Sequence, residues 1–269
     1  MAETSTVISD GMAEVLRLLR LDGPGDPAPS WARALGAEGV ALTLLVGAGR
    51  TPEPLWCHPE LSARFEELQF TLGEGPGPEA IRTGSPVLEP DLARVRSERW
   101  PALLPTAWEL GVYGVCCFPL GIGAIRVGVL TVLCDGDRRM SEQQYADATA
   151  LAAALTGALL NGDRPRNRSG DGGGGALGAP GSPSGLHRAA VHQATGMISV
   201  QLGVSMEEAL LRLRAHAYGH ERPLGQVAKD VVARRLRFKK ALDDDPDGDP
   251  DGDLNDDGSG PHSPDGGRG

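Results

Sequence analysis

No apolar run in this 269-residue sequence reaches the roughly 18–20 residues a helix needs to cross a bilayer, and the first residues lack the basic-then-apolar layout of a signal peptide. The expectation is a cytoplasmic protein with no membrane partner. Cysteine is scarce: Cys57, Cys116, Cys117 and Cys134 have neither metal-ligand C-x-x-C spacing nor the density of a disulfide scaffold, which suits small buried side chains in a reducing compartment. His58 is the only histidine before residue 187, and no nucleophile, base and orienting partner are spelled out around it. No enzymatic activity, catalytic residue, metal or cofactor is therefore expected. Glycine (38) and proline (21), by contrast, exceed a fifth of the chain together, so part of its length cannot recover the entropy lost on ordering. What remains suits two modest domains.

The net charge of -10 hides a change of sign along the chain. From Arg188 to Lys240 run Arg188, Arg212, Arg214, Arg222, Lys229, Arg234, Arg235, Arg237, Lys239 and Lys240 against Glu207, Glu208, Glu221 and Asp230. This basic segment is followed by one dense in aspartate, from Asp243 to Asp265. Within the second, Asp247 to Gly252 reads D-x-D-x-D-G like the start of a calcium loop, but no glutamate stands at the twelfth position and no helical patterns flank it. A tail of this charge could instead fold back on the basic segment and mimic phosphate.

Hydrophobic periodicity predicts an α+β first domain. Gly11–Leu21 reads as a short amphipathic helix, Gly39–Val46 as a buried strand that Leu55–His58 could pair with, and Leu61–Phe70 as a helix. That helix must stop at the Gly-Glu-Gly-Pro-Gly-Pro segment, which turns sharply and could form a loop over a pocket. Gly114–Leu120 and Val127–Leu133 read as antiparallel neighbours joined by a glycine-containing loop. Ser141–Leu160 reads as a long helix with Ser141 and Gln144 forming a capping box. The expected division is an N-terminal segment at 1–30, a first domain at 31–161, a flexible linker at 162–185, a basic helical domain at 186–240 and a disordered acidic tail at 241–269.

Three stretches of the first domain, TLGEGPGPEAIRTGSPVLEPDL at Thr71–Leu92, Trp100 with its following segment to Gly111, and PLGIGAIRVGVLTVL at Pro119–Leu133, resemble the GAF family as it occurs in actinobacterial regulators. The resemblance implies a central antiparallel sheet with helices on one side and a small-molecule pocket on the other. Candidate ligand-binding residues are Glu74 and Asp91 beside the glycine loop, with Trp100, Trp108, Tyr113 and Cys116 as pocket walls. A small molecule or a protein would supply the signal.

In the basic segment, three helical patterns follow one another: Leu186–Leu202 with Gly203 as its stop, a second opened by a capping box at Ser205-Met-Glu-Glu208, and a third from Pro223 that buries Leu224, Val227, Ala228 and Val231. The stretch Ala189–Val232 closely resembles an ANTAR domain, a small all-α three-helix module of bacterial transcription antiterminators. Ala190, Ala194, Gly196 and Met197 fit its first helix, Glu208, Ala209, Leu213, Arg214 and Ala217 its second, and Leu224, Val227 and Ala228 its third. Thr195 stands where the family commonly has a basic residue, and Glu221 where asparagine is common. The resemblance implies a homodimer that binds structured RNA hairpins. Arginine forks can contact phosphate and stack on unpaired bases, which makes Arg188, Arg212, Arg214, Lys229, Arg234, Arg235 and Arg237 the candidate RNA-binding residues, joined by Gln193, Thr195 and Gly196 from the first-helix motif. Two alternatives stand beside this one: a DNA-binding helix-turn-helix, and a sensor whose helical domain serves dimerisation alone.

Overall fold

The computed structural model describes residues 8–20, 26–47, 50–136, 139–161 and 183–239, with side chains from residue 188 onward in the last segment. Most of the expected linker, the acidic tail and the Asp247–Gly252 loop lie outside these residues. The chain opens with helices α1 (Asp10–Arg20) and α2 (Ala28–Leu35), then strands β1 (Gly39–Val46) and β2 (Thr51–His58). Helices α3 (Glu60–Leu72) and α4 (Pro76–Thr83) follow, then β3 (Val87–Glu89), α5 (Leu103–Leu110), β4 (Gly114–Ile122), β5 (Ile125–Cys134) and α6 (Glu142–Leu160). Helices α7 (Pro183–Leu202), α8 (Met206–Gly219) and α9 (Leu224–Val232) form a three-helix bundle, with α7 starting three residues before the expected start of the helical domain at 186.

The five strands form one antiparallel sheet in the order β2-β1-β5-β4-β3. Alternation along β4 and β5 sends side chains to two cores. Cys116, Phe118, Leu120, Leu130 and Val132 join Trp31, Leu35 and Leu151 of α2 and α6, while Val115, Cys117, Val129 and Leu133 join Phe65, Leu103 and Ala107 of α3 and α5. The sheet is thus covered on both faces. The expectation of helices on one side and an open ligand pocket on the other is corrected here, because α3, α4 and α5 fill the second face with buried side chains.

Local chemistry explains the element ends. The Ser141 capping box forms as read, with the Ser141 hydroxyl accepting from Gln144 N at 3.1 Å and Gln144 Oε1 accepting from Ser141 N at 3.0 Å. Its counterpart on α8 forms only in half: Ser205 accepts from Glu208 N, while the Glu208 carboxylate turns to Arg212 at 2.6 Å. The Gly-Glu-Gly-Pro segment turns as expected, with Gly73 ending α3 in the left-handed region at φ 72°. It does not remain a loop, since Pro76 starts α4 immediately.

Candidate nucleic-acid interface

Helices α7, α8 and α9 enclose a core of Val191, Ala194, Ile198, Leu202, Ala209, Leu213, Val227 and Val231, successive members of each helix standing three or four residues apart. One member of this core comes from outside the bundle. Phe70, in the last turn of α3, is 4% exposed and packs among these side chains. Beyond α9 the chain folds back: Arg235 N and Leu236 N bond to Asp230 O, and Phe238 lies 5.4 Å from the His216 ring with its N–H bonded to Gln201 Oε1. This return presents Arg234, Arg235, Arg237 and Lys239 to solvent, beside exposed Lys229. Asp230 orders part of that surface by accepting from Arg222 and Arg235, and those two guanidinium groups hold its carboxyl below the usual carboxylate range.

The remaining RNA candidates separate sharply. Gln193 is exposed, Gly196 is half-buried and Arg212 is half-buried against Glu208. Thr195 is a correction: it is buried, and its hydroxyl donates to Val191 O at 2.7 Å, so it cannot meet RNA in this arrangement. Arg188 is a second. It is 4% exposed, with Nε 2.8 Å from Glu67, Nη1 2.9 Å from Pro52 O and its guanidinium 4.4 Å from the Phe70 ring centre. The Arg214 guanidinium lies 5.4 Å from the centre of the same ring and donates to Phe70 O. Burial, with Arg188 close by, pushes the Arg214 guanidinium down to about 10. Nearby, His192 Nε2 contacts Glu53. Nothing in the sequence marks Glu53, Glu67 or Phe70 as partners of residues more than a hundred positions away.

Glu221 adopts φ 50°, a left-handed conformation in which asparagine is several-fold favoured over most residues. Glu221 lies exposed in the turn between α8 and α9 and carries that conformation with some strain.

The six ligand candidates of the sheet domain are not brought together. Glu74 Oε1 accepts from Ala102 N and Leu103 N at 2.8 and 2.9 Å, tying the start of α5. Asp91 accepts from Ala93 N and opens a 3₁₀ turn at Leu92–Arg94. Trp100 is buried on the second face, its Nε1 donating to Glu79 at 3.1 Å. Cys116 is buried on the first face, with the sheet between it and Trp100, while Trp108 and Tyr113 are exposed. A single pocket walled by all six is thus corrected: period-two alternation puts Cys116 on the opposite side from Val115 and Cys117. What the second face holds instead is a buried polar network. Glu66 accepts from Thr43 at 2.5 Å, Thr131 at 2.8 Å and Gln69 at 3.0 Å, and Gln69 Oε1 accepts from Gly77 N at 2.8 Å. Burial pushes the Glu66 carboxyl above the usual carboxylate range despite these bonds and the nearby Arg188.

A basic three-helix module attached to a two-faced α+β domain is the class that this geometry defines. Residues 186–232 match the family model of the ANTAR domain, and this stretch of the chain is an ANTAR domain. Solved structures similar to the chain include the GAF domain of a phosphoenolpyruvate-protein phosphotransferase from Acinetobacter, at 16% identity and TM-score 0.45, covering 62% of this chain and 99% of that one. The corresponding GAF domain from Coxiella burnetii is 16% identical with TM-score 0.43, covering 58% and 99%. Free methionine-R-sulfoxide reductase from Neisseria meningitidis, solved with its substrate, is 18% identical with TM-score 0.38, covering 60% and 96%. No curated protein matches the chain. No helix among the described residues is long and apolar enough to cross a membrane.

Proposed function

We propose that this protein is a cytoplasmic, non-catalytic RNA-binding transcription antitermination regulator. Its ANTAR domain, with limits at 186–240, binds structured RNA hairpins as a homodimer, and its sheet domain at 31–161 is a GAF-like sensor of a small molecule or protein signal. The observation that carries the reading is the ANTAR match at 186–232, which runs directly into the exposed basic group Arg234, Arg235, Arg237 and Lys239. Guanidinium groups on such a surface can pair with phosphates and stack on splayed loop bases.

The test uses the full chain, because Phe70 belongs to the core of the helical bundle. Binding is measured across a salt series to an RNA with two tandem stem-loops, the same RNA with scrambled loops, and a DNA duplex of equal charge. Loop-dependent binding that persists near physiological salt is expected. Preference for the duplex would instead favour a helix-turn-helix reader, and equal, salt-sensitive binding to all three would leave only general attraction to polyanions.

A further inference from the structure

We infer that the sheet domain latches the ANTAR domain shut by occupying two of its arginines, Arg188 and Arg214, so that RNA and the sheet domain compete for the same guanidinium groups. The inference rests on the RNA reading above and concerns its regulation. The sheet domain offers these arginines what an RNA loop would offer. Phe70 supplies a flat ring to Arg188 at 4.4 Å and Arg214 at 5.4 Å, in place of a base. Glu67 and the carbonyl oxygens of Pro52 and Phe70 supply acceptors, in place of phosphate oxygens. His192 is likewise engaged by Glu53.

The latch is built to release. Two guanidinium groups converge on one ring, and among the described residues only Arg188 of the two has a carboxylate partner and the buried Arg214 Nε has no hydrogen-bond partner. Burying a like-charged pair with one donor unsatisfied is costly, and a polyanion that pairs both arginines removes that cost. RNA of sufficient affinity can therefore displace the sheet domain.

The same helix carries the latch and the interior of the sheet domain. Within one turn of α3, Glu66 and Gln69 point into the buried network with Thr43, Thr131 and Gly77, while Glu67 and Phe70 face the ANTAR arginines. Gly75 and Gly77 press so closely on Gln69 that a Cβ at Gly75 would sit 2.7 Å from Gln69 Oε1. A change at the Gly75-Pro76 turn or between β1 and β5 thus moves α3, and with it the latch. Coupling of this kind runs through a docked surface and needs no rigid helix between the domains.

The experiment compares full-length wild type with two sheet-domain variants, Phe70→Ala and the double Glu53→Gln/Glu67→Gln, which alter the sheet-domain side of the contact and leave Arg188 and Arg214 themselves in place. A charge-matched control, Glu109→Gln/Glu142→Gln, alters two carboxylates outside the contact. Affinity for the tandem stem-loop RNA is measured alongside hydrogen exchange of α3 and α7. The latch predicts at least tenfold tighter RNA binding in the contact variants but not in the control, with faster exchange along α7. Linkage also predicts that RNA added to wild type speeds exchange over Glu66–Leu72. If Phe70→Ala fails to fold, the double variant and the wild-type exchange carry the test. Equal RNA affinity in wild type and contact variants overturns the latch and leaves the RNA reading intact. No RNA binding by any of the proteins, including those whose α7 exchanges faster, overturns both.

Discussion

The ANTAR domain has two basic faces built from the same residue types, and the structure treats them oppositely. On the face turned to α3, Arg188 is buried and Arg214 half-buried around Phe70, held by Glu67 and by backbone oxygens. Lys229, Arg234, Arg235 and Arg237 are exposed, and among the described residues only Arg235 of these four has an acidic partner, the half-buried Asp230. A guanidinium in water is available to phosphate at small cost, whereas one in a desolvated contact must first lose what holds it. The difference teaches that residues read along a chain as one basic cluster can fall into two environments, one open to solvent and one closed against a second domain.

The strongest way to break this comparison is to remove its hinge. Phe70→Ala should cost about 3–5 kcal/mol in the unfolding transition that includes the helical bundle, as large-to-small changes in packed cores do. A loss below about 1 kcal/mol in urea denaturation would mean the ring is not part of that core. Next, Arg188→Met should cost about 1–3 kcal/mol, less than a fully buried pair because Glu67 is a third exposed. Arg237→Met, at an exposed position, should stay within about 0.5 kcal/mol. Equal costs at the two positions would erase the distinction.

The outward face should show its effect in binding rather than stability. Replacing Arg234, Arg235 and Arg237 together by alanine should lower the slope of log affinity against log salt by about 2–3, with little change in melting temperature. An unchanged slope would move the RNA surface elsewhere. Smaller still, Glu221→Asn should stabilise the bundle by about 0.5–1 kcal/mol by relieving a left-handed φ. A destabilisation would show that Glu221 has a role beyond the turn.

The smallest effect belongs to pH. Burial raises the Glu66 carboxyl, so the folded chain holds this proton more tightly than the unfolded chain does. Its contribution is fully present below the unfolded carboxylate value of about 4.3 and is lost as pH rises through the folded one. Wild type should therefore lose melting temperature relative to Glu66→Gln as pH increases from about 4. A constant difference between the two across that range would show that Glu66 titrates as it does in water.

Much of the fold was legible before any coordinates. The β4–β5 hairpin, the capping box at Ser141 and the stop at Gly203 rest on signals confined to a few adjacent residues, and each forms at or within two residues of its expected place. Local signals also had a limit. The α8 capping box closes only halfway because Glu208 finds Arg212 one turn later, a competition that spacing alone does not resolve. The ligand candidates were harder. Glu74 and Asp91 are polar residues at glycine-rich turns, and such residues serve backbone N–H groups at helix starts as readily as they serve ligands.

By itself, the sequence determined the main strands, the long helices and their stops, and that the last helices carry a basic ANTAR domain, because periodicity, caps and motif spacing act over a few turns of chain; the short elements α2, α4 and β3 came only with the fold. Only the tertiary structure decided which arginines face water. That choice depends on Phe70 and Glu67 meeting Arg188 and Arg214 across more than a hundred residues, and a desolvated contact of this kind leaves no trace in the local pattern of either partner.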